Sequence, residues 1–455
     1  MDQNHHQYPS PYPPSSPLPS PPPPPDISQS LLSSLHTKLT TPPRLLSTSA
    51  GRPSCSIFKI PDSFIAVNGP KLYYPHIVSI GPVHHGRPHL AMIQEHKYLY
   101  LSQLLRRLGH LEPLIILRSI LDLESRARES YSVWFDHIGR DEFVEMMVVD
   151  GCFVIELFRK ATRMVRCEPD DPIVSMQWIF WFLLRDFLRL ENQVPFFVLE
   201  RLFSVTSSDG EKESGVRLTR LCLDFFANAF DGLEGVGEQR PDLQGMHLLD
   251  LLRNAFIPLE THQRGLRPNV SSRVIHNVSK LRKAGIKLKQ GKSSSWLAIK
   301  FHRGVLEMPT VTIDDFMSTF LANCVAYELC HKNSSTYYTT YVIMLDCLIN
   351  SGTDVEYLAD KNIIENYFGT DAEIAQFINN LGKDMPFDVN RCYLAELFND
   401  VNKYYQDTWH IQWASFKYTY FNSPWSFMSA LAALVLLILS VLQTLYTMIP
   451  FYKNS

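Results

Sequence analysis

Near its C-terminus the chain runs WSFMSALAALVLLILSVLQTLYTMI, Trp425 to Ile449, 25 residues without a single charge. At about 1.5 Å of rise per residue, a helix of this length crosses the roughly 30 Å hydrocarbon core of a bilayer with some tilt. Trp425 and Phe427 stand at one end, and Tyr446, Phe451 and Tyr452 at the other, where interfacial aromatics belong. A buried core helix demands no uncharged run this long, so residues 425–449 read as a transmembrane helix and 450–455 as a short tail. A second apolar run, PIVSMQWIFWFLL, lies between Asp171 and Arg185 and has only 13 residues. That is too short to cross, and it reads as a core helix.

One span at this position sets an expectation for topology. No basic, apolar leader opens the sequence, so the span inserts after synthesis and leaves residues 1 to about 420 in the cytosol. Lys417 and Lys453 flank the span, one on each side, so the positive-inside rule favours neither orientation. The alternative places the domain outside the cell at the plasma membrane. In the cytosolic arrangement the eight cysteines (55, 152, 167, 222, 324, 330, 347 and 392) stay reduced. The sequons at Asn269, Asn277 and Asn333 stay unmodified there.

The opposite end is of different material. YPSPYPPSSPLPSPPPPP, Tyr8 to Pro25, holds 11 of the chain's 30 prolines and one aliphatic residue, Leu18. Such a stretch buries too little surface to offset its ordering entropy, so residues 1–50 are expected to be a disordered proline-rich tail. Its PxxP spacings, Pro11 to Pro14 and Pro14 to Pro17, would suit an SH3- or WW-type partner.

Residues 51–420 have an ordinary globular composition within a chain that is 45% hydrophobic and 20% charged. The net charge of −3 gives no general pull toward nucleic acid, and no nucleic-acid partner is expected. The periodicity is helical. In GTDAEIAQFINNLG, Thr370 and Glu373 have capping-box spacing, and Ile374, Phe377, Ile378 and Leu381 form one apolar stripe before Gly382. TIDDFMSTFLANCVAYEL repeats the design, with Thr312 and Asp315 at cap spacing. DEFVEMMVVDGCFVIELFRKAT and MQWIFWFLLRDFLRLENQVPFFVLERLF add further helices, the second broken at Pro195. SWLAIKFHRGVLEMPTVTID is the exception, and its β-branched and aromatic residues around Arg303-Gly304 predict a short hairpin.

Chemistry is hard to find. VSIGPVHHGRPHL places His84, His85 and His89 among glycines and prolines, with Glu95 and His96 shortly after. Pro82, Gly86 and Pro88 forbid a continuous helix, so His85 and His89 share no helical face despite their spacing. Either the loop gathers imidazoles for metal or acid–base work, or it is a stiff turn whose histidines only hydrogen-bond. The phosphate-loop, dinucleotide, nucleophile-elbow and HExxH motifs have no match, and cysteines never fall as CxxC. A serine–histidine–acid site drawn from distant residues would leave no such motif. KLRKAGIKLKQGK, Lys280 to Lys292, carries six cations and no acid, which makes either a solvated face or a patch for anionic lipid.

Six blocks together resemble the plant-specific family called "domain of unknown function 247". They are FKIPDSFIAVNGPKLYYPHIVSIGPVHHGRPHLAMIQEHKYLYL, VVDGCFVIELF, LLRDFLRLENQVPFFVLERLF, KLRKAGIKLK, IDDFMSTFLANCVAYELC and YYTTYVIMLDCLINSGTDVEYLADKNII. They run in the family's order from about Phe58 to the C-terminal span, and Val83 departs from the tyrosine usual there. The resemblance implies a mostly helical, membrane-tethered plant protein without established catalytic residues, and some grass members are associated with self-incompatibility. On this basis SIGPVHHG is a fold-defining turn.

The resulting expectation is a mainly α protein: one helical domain with a small β-hairpin, plus one C-terminal transmembrane helix. Its function is protein interaction, recognition or signalling at a membrane, through partners the sequence does not name. The rivals are a hydrolase or metal-dependent enzyme built on His84, His85 and His89, and an anionic-lipid-binding module built on Lys280 to Lys292. No catalytic, cofactor-binding or metal-ligating residue is assigned.

Overall fold

Apolar residues at helical spacing dominate the chain, and helices account for about 60% of the computed structural model. It describes residues 28–41, 46–109, 112–259, 274–383, 385–386, 388, 391–407 and 424–453. Two compact units divide the chain, residues 1–44 and 45–455. The first contains one described helix, α1 (Gln29–Thr40). The second opens with α2 (Asp62–Asn68), α3 (Ala91–Leu108), α4 (Pro113–Leu121), α5 (Glu124–Glu129) and α6 (Arg140–Ala161). It continues through α7 (Pro172–Ser175), α8 (Gln177–Asp186), α9 (Phe196–Thr206), α10 (Asp209–Glu213), α11 (Leu218–Phe226), α12 (Val236–Gln239), α13 (Leu248–Phe256) and α14 (Val278–Lys283). Then come β1 (Lys287–Gln290), β2 (Lys300–His302), β3 (Val305–Met308) and β4 (Val311–Ile313). After α15 (Asp315–Cys330), α16 (Tyr337–Leu348) and α17 (Gly352–Asp360) follow β5 (Ile364–Asn366), α18 (Asp371–Gly382), α19 (Ala395–Gln406) and α20 (Pro424–Lys453).

Two helices organise the interior. α6 is buried continuously from Met146 to Lys160 because α3, α4, α9 and α11 pack around it. Gly151 is the close-approach point: a Cβ there would sit 2.3 Å from Leu202 Cδ1 of α9. α15 is buried from Phe316 to Glu328 and lies against α8, α13 and α16. Helices with apolar residues all the way round belong in the middle of a protein, and these two also carry paired polar groups there, Asp150 and Arg159 on α6 and Asn323 and Glu328 on α15.

The hairpin predicted around Arg303-Gly304 is present. β2 and β3 pair antiparallel, and Arg303 (φ 47°) and Gly304 (φ 76°) are both left-handed, as the tight two-residue turn requires. Two parallel pairings go beyond that prediction. β1 joins β3 with Leu288 beside Leu306, and β4 joins β5 with Val311 beside Ile364.

Three other expectations need correction. The run Pro172–Leu184 is not one core helix: it breaks at Met176 into α7 and α8, and Trp178 and Trp181 face solvent. Asp171 and Arg185 bracket an amphipathic element, so the lack of charge between them did not mean burial. The cap of α15 is Asp314, whose carboxylate accepts from Met317 N–H at 2.6 Å, while Thr312 belongs to β4. Residues 1–50 do not lack structure throughout. Ser28 caps α1, and Ser47 and Ser49 are buried, with Ser47 N–H donating to Ser132 O at 2.7 Å. The proline-rich segment Tyr8–Pro25 lies outside the described residues.

At the C-terminal end α20 contains a segment, Phe427–Tyr446, of mean hydropathy 2.3, none of it buried. It is long and apolar enough to span a membrane.

Candidate functional site

The loop between α2 and α3 has no regular backbone pairing, yet residues 77–82 are buried. Its N–H groups therefore need partners, and side chains supply them. Asp186, the last residue of α8, accepts from His76, Ile77 and Val78 N–H at 2.8–3.0 Å. Asn192 accepts from Ile80 N–H at 2.7 Å and donates to Val78 O. Asp150 of α6 accepts from Gly81 N–H at 2.8 Å. Gly81 is obligatory here: its φ is +77°, and a Cβ would lie 2.5 Å from Gln193 O.

The charges in this clamp compensate one another. Lys97 donates to Asp150 at 2.6 Å and to Ser79 O at 2.5 Å. Arg189 pairs with Asp186 and donates to Lys71 O at 3.0 Å. Burial pulls the Arg189 guanidinium down to about 10, which leaves it charged at neutral pH. Glu191 accepts from Ile60 N–H at 2.7 Å. The short segment RDFLRLENQ, from the end of α8 through the turn after it, thus holds the chain from Ile60 to Gly81 in place. From the other side Asn323 of α15 accepts from Leu190 N–H and donates to Leu72 O, both at 2.9 Å.

The three histidines of the loop do not converge. His84 is fully buried, with Nε2 3.1 Å from Glu191 Oε2 but off the line of an aligned hydrogen bond. Burial lowers its pKa, partly opposed by Glu191, so the ring is mainly neutral. His85 is half-buried and lies 3.7 Å from Glu142. His89 and Glu95 are exposed, and His96 is half-buried on α3. No group of three metal-ligating side chains forms among the described residues. Asp186 and Asp150 spend their oxygens on backbone N–H groups and cations away from solvent, which suits anchoring rather than turnover.

A second buried network was invisible in the sequence. Arg253 of α13 lies between Asp250 (3.3 Å) and Glu328 (3.4 Å), and Glu328 accepts from Thr339 N–H and Oγ1 at 2.8 Å. Burial raises the pKa of Glu328 and Arg253 opposes it. His247 accepts from Asp250 N–H at Nδ1 and donates from Nε2 to Ser56 O at 3.0 Å, which fixes the neutral tautomer. Its pKa falls to about 4, mainly through burial.

The surface carries apolar features of its own. A groove of about 480 Å³ between α3, α4 and α6 is lined by Tyr98, Leu105, Leu114, Leu117, Val144 and Val148. The basic stretch divides: Lys280 and Lys283 end α14, Leu288 is buried, and Lys287 and Lys289 project from β1.

Fold and clamp define a class: a helical domain whose irregular N-terminal loop is fixed by buried carboxylates and amides, followed by an apolar C-terminal helix. The chain belongs to the plant family DUF247, described as "Plant protein of unknown function", whose profile matches residues 57–439. It is similar to "UPF0481 protein At3g47200" of Arabidopsis thaliana, 38% identical over 416 residues that cover 86% of this chain and 85% of that one. It also resembles "Putative UPF0481 protein At3g02645" of the same plant, 22% identical over 475 residues that cover 83% and 87%. No solved structure matches. The resemblance drawn from the six sequence blocks is thereby confirmed.

Proposed function

We propose that this chain is a membrane-anchored recognition protein whose domain binds other proteins on the cytosolic side. The observation that carries the reading is a pair of tryptophans, Trp178 and Trp181, one turn apart on α8 and 50% and 47% exposed. Large aromatics held open on a rigid helix are costly to hydrate and dominate the energetics of protein interfaces. Met176, at the break just before α8, is exposed as well. Behind the tryptophan ridge the buried clamp keeps α8 fixed, because Asp186 and Arg189 tie its end to the loop. The apolar α20 supplies the anchor.

The test is crosslinked capture from plant microsomes with the full-length protein, beside Trp178→Ala/Trp181→Ala. Truncating one interface hot spot costs about 2 kcal/mol, roughly thirtyfold in affinity. Partners held by this ridge therefore disappear from the variant. An unchanged partner set would remove the ridge from the recognition surface.

A further inference from the structure

The three-stranded sheet has a cationic face that the proposed function leaves unused. Register puts Lys289 beside Glu307, Glu307 beside Lys300, Lys287 beside Val305, and His302 beside Val305. Alternation along each strand turns these residues outward and Leu288 and Leu306 inward. One face thus shows Lys287, Lys289, Lys300 and His302 around a single carboxylate, Glu307, and Arg303 is exposed at the turn. None of the three lysines forms an ion pair among the described residues, so their charge is presented to solvent.

The inward face and the turn of this hairpin pack on α19, the last described helix before α20. Gly304 abuts Tyr404 of α19, where a Cβ would come within 2.5 Å of the phenol oxygen. Phe301 and Tyr404 stack edge-on at 5.9 Å between centroids. α19 ends at Gln406, and 17 residues (407–423) separate it from Pro424 of α20. Even fully extended, that connector reaches no farther than about 60 Å. The hairpin is therefore confined to the neighbourhood of the bilayer, where a weak surface attraction acts at high effective concentration.

We infer that the outward face of the β1–β3–β2 sheet docks on the anionic phospholipid headgroups of the membrane that holds α20. This rests on α20 being a membrane span. Lysines near an anionic leaflet contribute about 1 kcal/mol each, so three shift the docked population up to about a hundredfold. The attraction is screened within about 3 Å at 1 M salt.

The experiment uses the full-length protein in vesicles of phosphatidylcholine alone or with phosphatidylserine, with amine labelling read lysine by lysine by mass spectrometry. On anionic vesicles Lys287, Lys289 and Lys300 should label up to about a hundredfold more slowly, and recover at 1 M salt. The exposed Lys59 and Lys332 serve as references for labelling, and the buried Lys97 and Lys160 report that the domain stays folded. Lys289→Glu should return Lys287 and Lys300 to their neutral-vesicle rates, while Glu307→Gln should deepen the protection. Equal labelling on both vesicle types, or protection by dissolved RNA but not by anionic vesicles, would overturn the inference. An alkaline carbonate wash separates the two failures: release of the protein sinks the anchor, whereas retention with unprotected lysines sinks only the docking.

Discussion

His84 and His85 differ by one position and by everything around them. Replacing His84 with Ala leaves a void against Tyr74, whose ring lies 5.9 Å away, and strips Glu191 of its buried neighbour. The cost should be about 2–3 kcal/mol in urea unfolding. His85→Ala, at a half-exposed position, should stay within about 0.5 kcal/mol. Metal analysis of the purified protein belongs with this pair. One equivalent of tightly held zinc, iron or manganese, lost with His84→Ala, would restore a catalytic role to the loop. His247 gives a pH signature. Above pH 6.5 it is neutral in both folded and unfolded chains and contributes nothing to the pH dependence. Below 6.5 the unfolded chain takes up a proton that the buried ring refuses down to about pH 4, so stability is lost across that window. The loss reaches about 3 kcal/mol at 1.36 kcal/mol per unit. Asp250 opposes the shift and Arg253 and His331 support it. His247→Gln should flatten the acid limb of a plot of urea midpoint against pH, and an unaltered limb would show that other groups set it.

The elements best read from sequence are those whose instructions are local. In α18 the Thr370 hydroxyl caps Glu373 N–H, Glu373 returns to Thr370 N–H, and Ile374, Phe377, Ile378 and Leu381 are buried as the stripe predicts. Thr370→Ala should cost about 1 kcal/mol by thermal unfolding, since the residue is exposed and only the cap is lost. The hairpin turn was legible for the same reason, because two adjacent residues carry it. The clamp was not: Asp186 serves N–H groups about 110 positions earlier, and no spacing rule connects such residues. The parallel pairs β1–β3 and β4–β5 were missed because each depends on a partner strand 18 or more positions away. The break at Met176 was missed because a tally of charges cannot see which face of a short run meets water. Trp178 and Trp181, the residues on which the functional reading turns, looked like core material.

For the whole molecule, topology decides which partners are reachable. The cytosolic arrangement predicts that protease added outside sealed microsomes removes the domain and that no band shifts on deglycosylation. A protected, glycosylated domain would reverse the assignment. Asn277 gives that test structural weight, because its side chain already accepts Lys280 N–H at the start of α14 and a glycan there would compete with the cap. All eight cysteines are unpaired, and the thiols of Cys152, Cys222 and Cys324 are pushed up by burial, which keeps them unreactive. The domain boundary can be tested by truncation. A chain starting at residue 51 lacks the Ser47–Ser132 bond that one starting at 45 retains, so its unfolding free energy should be lower by about 1 kcal/mol.

The bond from Asn323 to Leu72 O, 251 positions apart, also sets a schedule for synthesis. At about 5–20 residues per second, roughly 12–50 s pass between translation of the loop and arrival of the α15 side chain that helps to close over it. Through that interval Leu72 O and Leu190 N–H lack the Asn323 side chain that pairs with both, so the nascent chain should be a client of ribosome-associated chaperones. Arrested chains ending near residue 310 should be cut readily by protease in the 72–81 segment, while chains long enough to expose Asn323 outside the ribosome should resist. The apolar α20 follows the domain in the chain, so it emerges after the domain has had its chance to close.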